Sequence, residues 1–348
     1  MSERHHGPVR FAIVGCGHIG KRHAQMVVDH PEAELTALCD IRPRTELALE
    51  PFDVPFYHDL EDMLAEEFDV LCVCTPNGYH ASQALKGLEA RRHVVCEKPM
   101  GLTRAECENV IYKALNKSRH VFCVMQNRYS PPSVWLKDVI EEGVLGDIYM
   151  VQLNCYWNRD DRYYRPDGRP HPWKGKRALD GGPLYTQFSH FIDIMYWLFG
   201  DITDIQARFD NFNHHDNTEF EDSGLVSFKF VNGGIGCLNY STSVWGSNLE
   251  SSLQVIGSRG SLKVGGQYMN AVETCNIENY QMPVLPEGQP ANQYQGYTGS
   301  AANHVFVIEN VIDVIRGRKT ITTNALEGLK VVDIIERIYA VRPDFVRV

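Results

Sequence analysis

Residues 9–20 have the sequence VRFAIVGCGHIG, a short apolar run followed by a glycine-rich turn. The run predicts a buried strand, and the KRHAQMVVDH segment that follows predicts a helix. In such a unit Gly15 allows the tight turn, Gly17 lets the backbone approach a pyrophosphate, and Gly20 lets helix and strand pack closely. This stretch therefore predicts a dinucleotide-binding fold.

The start of the helix and a nearby acid complete the pattern. The helix begins around His18 and Ile19, where unsatisfied backbone N–H groups attract phosphate. Asp40 ends the second predicted strand, twenty residues after the last glycine. A carboxylate there can hydrogen-bond both ribose hydroxyls of NAD and repels the 2′-phosphate of NADP. Arg42 and Arg44 leave some tolerance for NADP. Because of the Asp40 carboxylate, however, NAD is the predicted cofactor.

Further apolar runs alternate with helical segments through the first half of the chain: ELTALCD, VLCVC, HVVCE and VFCVM. Continuous apolar runs are typical of parallel strands covered by helices on both faces, and this alternation predicts an α/β protein with a doubly wound parallel sheet. A capping box, Thr103 with Glu106, marks one helix start. We predict a dinucleotide-binding Rossmann domain over residues 1–126.

After residue 126 the pattern changes to period-two alternation, as in DIYMVQLNCYW, which predicts half-buried antiparallel strands. Residues 184–199 and two segments near the C-terminus have helical spacing of apolar residues. Residues 265–300 are rich in Gly, Pro, Asn and Tyr and predict a long irregular loop. Residues 127–348 are therefore predicted to form a second domain, for substrate binding and oligomerisation.

Composition excludes several classes of protein. The chain has 348 residues, 43% hydrophobic and 22% charged, as in soluble globular proteins. A net charge of −10 argues against broad binding to nucleic acid or anionic membrane. The polar start and the lack of a long apolar run predict no signal peptide and no membrane span. Ten scattered cysteines without a CxxC pair favour reduced thiols in the cytoplasm over disulfides or a metal site.

Two further motifs carry candidate catalytic residues. Glu97-Lys98-Pro99 follows the fifth predicted strand, at the sheet edge where open α/β sheets bind ligands. A lysine there can share a proton with a substrate hydroxyl, although an exposed lysine beside a proline is an open alternative. Residues 180–193, DGGPLYTQFSHFID, place Thr186, His190 and Asp193 on one face of the predicted helix. Asp193 is a candidate for orienting the imidazole of His190, although histidines on helices are more often structural.

The order of these motifs resembles the Gfo/Idh/MocA family of oxidoreductases. GCGHIG, TPNGYH, EKP and a GG-x-L…H-x-x-D segment follow one another over nearly the whole chain. The resemblance implies a Rossmann domain and an α/β domain with an open, largely antiparallel sheet that many members use to form homo-oligomers. It also implies NAD-dependent oxidation or reduction of a sugar or polyol, with Lys98 and His190 at the reacting carbon. Along the cofactor it places Thr75, Asn77 and Glu97, together with Lys98.

This chain departs from the family at one position. Many members have an aspartate four residues before the histidine, where this chain has Thr186, followed by Gln187. A threonine can hydrogen-bond a substrate hydroxyl but cannot take up a proton at neutral pH, so more of the base role falls on His190. In having Thr186 followed by Gln187 at this point, the chain is similar to the UDP-N-acetylglucosaminuronate 3-dehydrogenases of surface-polysaccharide biosynthesis.

Residues 158–177 carry seven basic and three acidic side chains, interleaved with aromatic residues. Guanidinium groups bind phosphate or carboxylate, and aromatic faces stack on sugars and bases. The candidate substrate-binding residues are therefore Arg159, Tyr163, Trp173, Lys174, Thr186 and Gln187. The alternative is an exposed loop whose arginines pair with neighbouring aspartates or contact another subunit.

The leading hypothesis is NAD-dependent oxidation of a secondary alcohol on an anionic, nucleotide-linked sugar, such as UDP-N-acetylglucosaminuronate at C3. Three alternatives stay open: a dehydrogenase of a free sugar or inositol, a glycosidase that recycles NAD in place, and a dinucleotide-binding regulator without enzymatic activity. The partners expected are a small sugar or sugar nucleotide and further copies of the chain, with neither nucleic acid nor membrane.

Overall fold

The computed structural model describes residues 7–294 and 297–341. Residues 1–6, part of the polar start considered for a signal peptide, lie outside the described residues. The chain divides into two compact units, one of residues 1–125 with 304–332 and one of residues 126–303 with 333–348.

Fifteen strands are present in the described part of the chain: β1 Val9–Val14, β2 Ala33–Cys39, β3 Phe56–Tyr57, β4 Val70–Val73, β5 His93–Cys96, β6 Val121–Cys123, β7 Ile148–Tyr156, β8 Ile202–Asp210, β9 Ser223–Phe230, β10 Ile235–Ser241, β11 Glu250–Gly257, β12 Gly260–Gly265, β13 Ala271–Ile277, β14 Ala291–Tyr294 and β15 Tyr297–Ala301.

The α-helices of the same residues are α1 His18–Asp29, α2 Leu60–Leu64, α3 His80–Glu89, α4 Arg104–Lys117, α5 Pro131–Glu141, α6 Asp161–Tyr164, α7 Arg177–Asp180, α8 Pro183–Thr186, α9 Ser189–Phe199, α10 His304–Ile315 and α11 Ala325–Ala340. Short 3₁₀ helices lie at Arg44–Glu46, Asn77–Tyr79, Gln126–Tyr129 and Pro166–Gly168. The predicted capping box at the start of α4 is confirmed.

The first unit is built on a six-stranded parallel sheet in the order β3-β2-β1-β4-β5-β6. β4 is buried along its whole length and β1 along nearly all of it, which explains their continuous apolar sequences. The strand order reverses between β1 and β4, the switch point beyond which open α/β sheets bind ligands. The predicted doubly wound α/β fold is confirmed.

The second unit contains a seven-stranded sheet in the order β13-β12-β11-β7-β10-β9-β8. Its strands pair antiparallel, except for the parallel pair β7–β10. One face of β9 is buried and the other exposed, as the period-two pattern predicts. On the outer face Met150, Ile235 and Ile256 are 41%, 48% and 47% exposed and lie in register on neighbouring strands. The strand order and the strand pairing thus confirm the predicted open, largely antiparallel sheet.

The prediction of one irregular loop over residues 265–300 is wrong, because three strands lie in or begin within it. β13 extends the large sheet along β12, and β14 pairs with β15 in a two-stranded hairpin. β13 lies at the sheet edge, where most of its side chains stay at least partly exposed. An edge strand therefore lacks the apolar alternation by which strands are recognised in a sequence.

The single helix predicted over residues 184–199 is also wrong, because α8 and α9 are separate. Phe188 N donates to Pro183 O, five residues back, at 2.9 Å, which interrupts the i→i−4 ladder. Thr186 therefore ends one helix and His190 lies in the first turn of the next. Their spacing of four residues does not place them on one continuous helical face.

The predicted division at residue 126 differs from the structure at the C-terminal end. Residues 304–332 belong to the first unit, where α10 packs against α1. Arg318 donates to both carboxylate oxygens of Glu32, and Thr323 O accepts from Cys123 N at 2.9 Å. These are tertiary contacts between distant parts of the chain, which local sequence does not reveal.

No helix within residues 7–294 and 297–341 is long and apolar enough to cross a membrane. All ten cysteines fall in this part of the chain, and none of them forms a disulfide. The same residues contain no group of three or more His, Cys, Asp or Glu arranged to hold a metal ion.

Candidate active site

The turn between β1 and α1 fits a pyrophosphate. Gly15 has a φ of +89°, and a Cβ added to it would lie 2.6 Å from a backbone oxygen after β4. A Cβ on Gly20 would lie 1.8 Å from Gly15 O, so helix and strand pack as closely as glycine allows. A Cβ on Gly17 would meet nothing within 4 Å. His18 and Ile19 form the first turn of α1, which no side chain of the described residues caps, so its N–H groups suit a phosphate.

Asp40, just after β2, is fixed to this turn. Its carboxylate accepts a hydrogen bond from Cys16 N at 2.8 Å. Arg42 donates to both carboxylate oxygens, from Nε at 3.0 Å and Nη2 at 2.9 Å. Burial opposes the charge of Asp40, but these hydrogen bonds hold its pKa below the ordinary value. A charged carboxylate beside the glycine turn suits the ribose of NAD, while Arg42 supplies a cation next to it.

The loops that follow β4 and β5 are tied together by His80. Its ring nitrogens lie 2.6 Å from Pro99 O and 2.7 Å from Thr75 O, which gives His80 a structural role. Thr75 Oγ1 donates to Gln83 Oε1 at 2.6 Å, and Asn77 is 5% exposed. Burial lowers the pKa of His80. The predicted cofactor residues of these two loops are thus held at one edge of the sheet.

Glu97 is held by two histidines within the first unit. Its Oε1 lies 2.9 Å from His23 Nε2 and 3.7 Å from His304 Nε2, and its Oε2 accepts from Lys98 N at 3.3 Å. Burial opposes the charge of Glu97, but the hydrogen bond to His23 and the neighbouring charges lower its pKa to about 2. Glu97 thereby anchors the backbone of Lys98, which is half-buried and joined to Pro99 by a cis peptide.

In the second unit His190 is 4% exposed, and its Nε2 accepts from Gln126 Nε2 at 3.3 Å. The carboxylate expected to orient this imidazole is engaged elsewhere. Asp193 accepts from Arg128 Nε at 2.8 Å and from Nη2 at 2.6 Å, and both side chains are 1% exposed. This buried ion pair fastens α9, and with it His190, to the 3₁₀ helix that carries Gln126.

Thr186 and Gln187 face different partners. Thr186 Oγ1 donates to Asp180 O at 3.0 Å and also to the Asp180 carboxylate. Gln187 is 3% exposed, and its Nε2 donates to Tyr163 Oη at 3.2 Å. Gln187 thus connects the segment before His190 to the predominantly basic residues 158–177.

Two cations and three aromatic rings form what we call the cation–aromatic cluster: Trp157, Arg159, Tyr163, Lys174 and Tyr297. The Arg159 guanidinium carbon lies 4.7, 5.3 and 5.0 Å from the ring centroids of Trp157, Tyr163 and Tyr297. Lys174 Nζ lies 3.8 Å from the Tyr163 centroid. Burial lowers the pKa of Arg159, and it lowers the pKa of Lys174 to about 8. Neither cation forms an ion pair with a carboxylate of the described residues.

Arg159, Arg162 and Trp173, all within residues 158–177, have different surroundings. Arg159 is 3% exposed and donates to Asn158 O, Asn248 Oδ1 and Thr298 O, so it organises the cluster from within. Arg162 pairs with Asp160 at 2.7 Å, as the alternative of neighbour pairing predicts. Trp173 contacts His171, with ring centroids 5.5 Å apart.

Several residues of this site do not stand out in the sequence. Gln126 and Arg128 lie in a 3₁₀ helix just after β6, and Tyr297 begins a strand within the segment predicted as a loop. For Gln126 and Arg128, the signal available in the sequence is their position as polar residues directly after a buried strand. Tyr297 lies far along the chain from Arg159, so local pattern could not place the two side chains together.

The chain is similar to known oxidoreductases over nearly its whole length. Residues 9–125 match the family model described as "Oxidoreductase family, NAD-binding Rossmann fold", and residues 134–263 match the "GFO/IDH/MocA C-terminal domain". The chain is 31% identical to the WlbA dehydrogenase of Chromobacterium violaceum, with 99% of this chain and 95% of that one covered and a TM-score of 0.87. The chain belongs to the Gfo/Idh/MocA family of oxidoreductases. Its first unit is an NAD-binding Rossmann domain.

Two further proteins are similar to this chain. The WlbA dehydrogenase of Bordetella pertussis is 30% identical over 98% of both chains, with a TM-score of 0.85. Both WlbA structures are complexes with NADH and UDP-GlcNAcA. The inositol 2-dehydrogenase of Salmonella typhimurium is 30% identical over 199 residues, which are 56% of this chain. The chain thus spans about half the length, 55%, of that curated relative.

We predict that Gly17→Ala weakens NAD binding by about tenfold or more, because its methyl group occupies the space through which the backbone approaches the pyrophosphate. The fold should be kept, since that methyl group meets nothing within 4 Å. Titration with NAD and a thermal melt measure the two effects. Gly20→Ala is the matched control, because its clash with Gly15 O should lower the melting temperature. Unchanged NAD affinity in Gly17→Ala would show that this turn does not hold the cofactor.

Proposed function

We propose that this protein oxidises a secondary alcohol of an anionic, nucleotide-linked sugar with NAD, such as UDP-N-acetylglucosaminuronate at C3. The observation that carries the proposal is the cation–aromatic cluster. Arg159 is 3% exposed and Lys174 is half-buried against the rings of Tyr163 and Tyr297, and neither has a carboxylate within ion-pair distance in the described part of the chain. A charge buried in this way is costly unless an anion compensates it. Gln187 connects the cluster to the segment that ends in His190.

Several buried amide oxygens of the second unit, one of them on the side chain that contacts His190, support a ligand rich in hydroxyls. Gln126 Oε1, Asn127 Oδ1 and Gln187 Oε1 are buried and have no hydrogen-bond partner among residues 7–294 and 297–341. The same holds for Asn303 Oδ1, just after β15. Buried amide oxygens normally accept hydrogen bonds, and each one left without a donor costs free energy. Sugar hydroxyls supply donors of this kind.

In this proposal NAD, when bound, accepts the hydride from the carbon that bears the hydroxyl. His190 takes up the proton of that hydroxyl, and Lys98 donates a hydrogen bond to the same oxygen. The family assignment and the position of Lys98 after β5 support these roles. Glu97 fixes the backbone of Lys98, and the Arg128–Asp193 pair fixes the helix of His190. Positioned proton transfer contributes roughly 10²–10⁴ in rate.

The relatives support the substrate class, since the WlbA structures contain NADH and UDP-GlcNAcA and resemble this chain over nearly its whole length. The inositol 2-dehydrogenase favours a second candidate, oxidation of a free cyclic polyol. The exposed apolar row Met150, Ile235 and Ile256 supports a homo-oligomer formed through the open sheet.

A thermal-shift screen with NAD present tests the substrate class. We expect UDP-N-acetylglucosaminuronate to raise the melting temperature, because a ligand stabilises the folded state by RT ln(1 + [L]/Kd). UDP-N-acetylglucosamine, which lacks the carboxylate, is the matched control and should stabilise less. Stabilisation by myo-inositol or glucose, but by neither sugar nucleotide, would replace this proposal with the free-polyol alternative.

We predict that His190→Ala and Lys98→Ala each lower kcat by at least about 10²-fold, because each removes a group that handles the reacting proton. NAD affinity should change little, which titration of each variant can show. The exposed residues His120 and Lys319 provide alanine controls with normal turnover. If either variant keeps near-normal kcat, the residue that it replaces does not take part in the mechanism.

The depressed pKa of Lys174 predicts a pH dependence of substrate binding. Lys174 is protonated below about pH 8 and loses its charge above it. The Kd for the anionic sugar nucleotide should therefore rise as the pH increases through this value. Lys174→Arg, which stays charged, should flatten the curve, and Lys174→Met should weaken binding even at neutral pH. A pH profile that is the same in wild type and Lys174→Arg would contradict the role of this amine.

A further inference from the structure

The hydroxyl of Thr186 has a defined hydrogen-bond direction. Its Oγ1 faces the backbone oxygen and the carboxylate of Asp180, both of which accept hydrogen bonds. Asp180 is completely buried at the end of α7, and its second carboxylate oxygen accepts from Gly175 N at 2.8 Å. Donors at both oxygens favour the ionised carboxylate. The proton of the Thr186 hydroxyl therefore points to Asp180.

This direction limits what Thr186 can do toward a ligand. A hydroxyl has one proton and two lone pairs, so one whose proton is committed interacts with another group only as an acceptor. Thr186 is half-buried and ends α8, four residues before His190. A sugar group that contacts Thr186 Oγ1 must therefore donate, as a hydroxyl does and an ether or a ketone does not.

We propose that Asp180 is a positioning residue that sets Thr186 Oγ1 as an acceptor for one hydroxyl of the substrate, and thereby makes that hydroxyl a requirement for binding. The inference rests on the proposed sugar-oxidising function and adds a specificity determinant to it. In this role Asp180 acts through Thr186 and needs no contact with the sugar.

Asp180→Asn keeps the shape of the side chain but reverses the hydrogen bond between the two side chains, so that Thr186 Oγ1 accepts it instead of donating it. Gly175 N still requires an acceptor, so the amide oxygen faces Gly175 and the amide NH₂ faces Thr186 Oγ1. The amide NH₂ then occupies one lone pair of Thr186 Oγ1, and the hydroxyl proton keeps only Asp180 O as an acceptor on that side, so Oγ1 becomes a poorer acceptor for a hydroxyl of the ligand. Thr186→Val removes the hydroxyl at nearly constant volume, and Thr186→Ser retains it.

The experiment measures kcat and KM with NAD and UDP-N-acetylglucosaminuronate for the full-length wild type, the three single variants and the double variant Asp180→Asn/Thr186→Val. We expect Asp180→Asn and Thr186→Val each to lower kcat/KM by about tenfold or more, mainly through KM. Thr186→Ser should stay within about threefold of wild type. The double variant should be no more impaired than the more impaired of the two single variants, because the route from Asp180 through the hydroxyl is then already lost.

Two outcomes overturn the proposal. Wild-type kcat/KM in Thr186→Val shows that the hydroxyl is not used. Equal losses from Asp180→Asn in the wild-type and Thr186→Val backgrounds show that Asp180 acts through Gly175, through its charge on Lys174 or through the fold, and not through Thr186.

A substrate-independent measurement separates this inference from the proposed function. Neutron diffraction of the deuterated protein locates the Thr186 hydroxyl deuteron, which is expected toward the Asp180 carboxylate in wild type and turned away from that side chain in Asp180→Asn. A wild-type deuteron that points away from Asp180 overturns the inference even in an active enzyme. If wild type turns over no sugar nucleotide but the deuteron lies as expected in both proteins, the proposed function fails and the hydrogen-bond direction stands.

Discussion

The buried ion pair between Arg128 and Asp193 is the constraint on which the second unit's site depends. Both side chains are 1% exposed, and the two carboxylate oxygens face two guanidinium nitrogens. Removing one partner would leave an uncompensated charge in the interior, which typically costs about 3–5 kcal/mol. The pair therefore fastens α9 to the 3₁₀ helix Gln126–Tyr129, and His190 meets Gln126 as a result.

In the first unit, close packing at the glycine turn and the contacts of Glu97 position the candidate site residues. Steric closeness replaces charge at the glycine turn, where Gly20 allows α1 to lie against the backbone of Gly15. Glu97 then ties β5 to α1 through His23 and contacts His304 at the start of α10. The segment after β5 is thereby held by side chains from two helices distant in sequence, one of them near the C-terminus.

Charge is distributed unevenly in this acidic protein. The chain carries a net charge of −10, yet residues 158–177 are predominantly basic. Some of these charges are neutralised locally, as in the Arg162–Asp160 pair. Arg159 and Lys174 instead lie against aromatic rings, where their charge is less screened by water. A protein that is acidic overall can thus contain a small basic region suited to a single anion.

The sequence alone determined the parallel sheet, the glycine turn, Asp40 and the order of the motifs, because each depends on residues close together in the chain. Local periodicity reports burial and strand type, and the GxGxxG spacing reports backbone conformation. The tertiary structure alone decided that Asp193 binds Arg128, that Thr186 is directed to Asp180 and that Tyr297 joins Arg159. It also decided that residues 304–332 belong with the first unit. These are contacts across breaks in helices or across long chain separations, where no local pattern records which side chains meet.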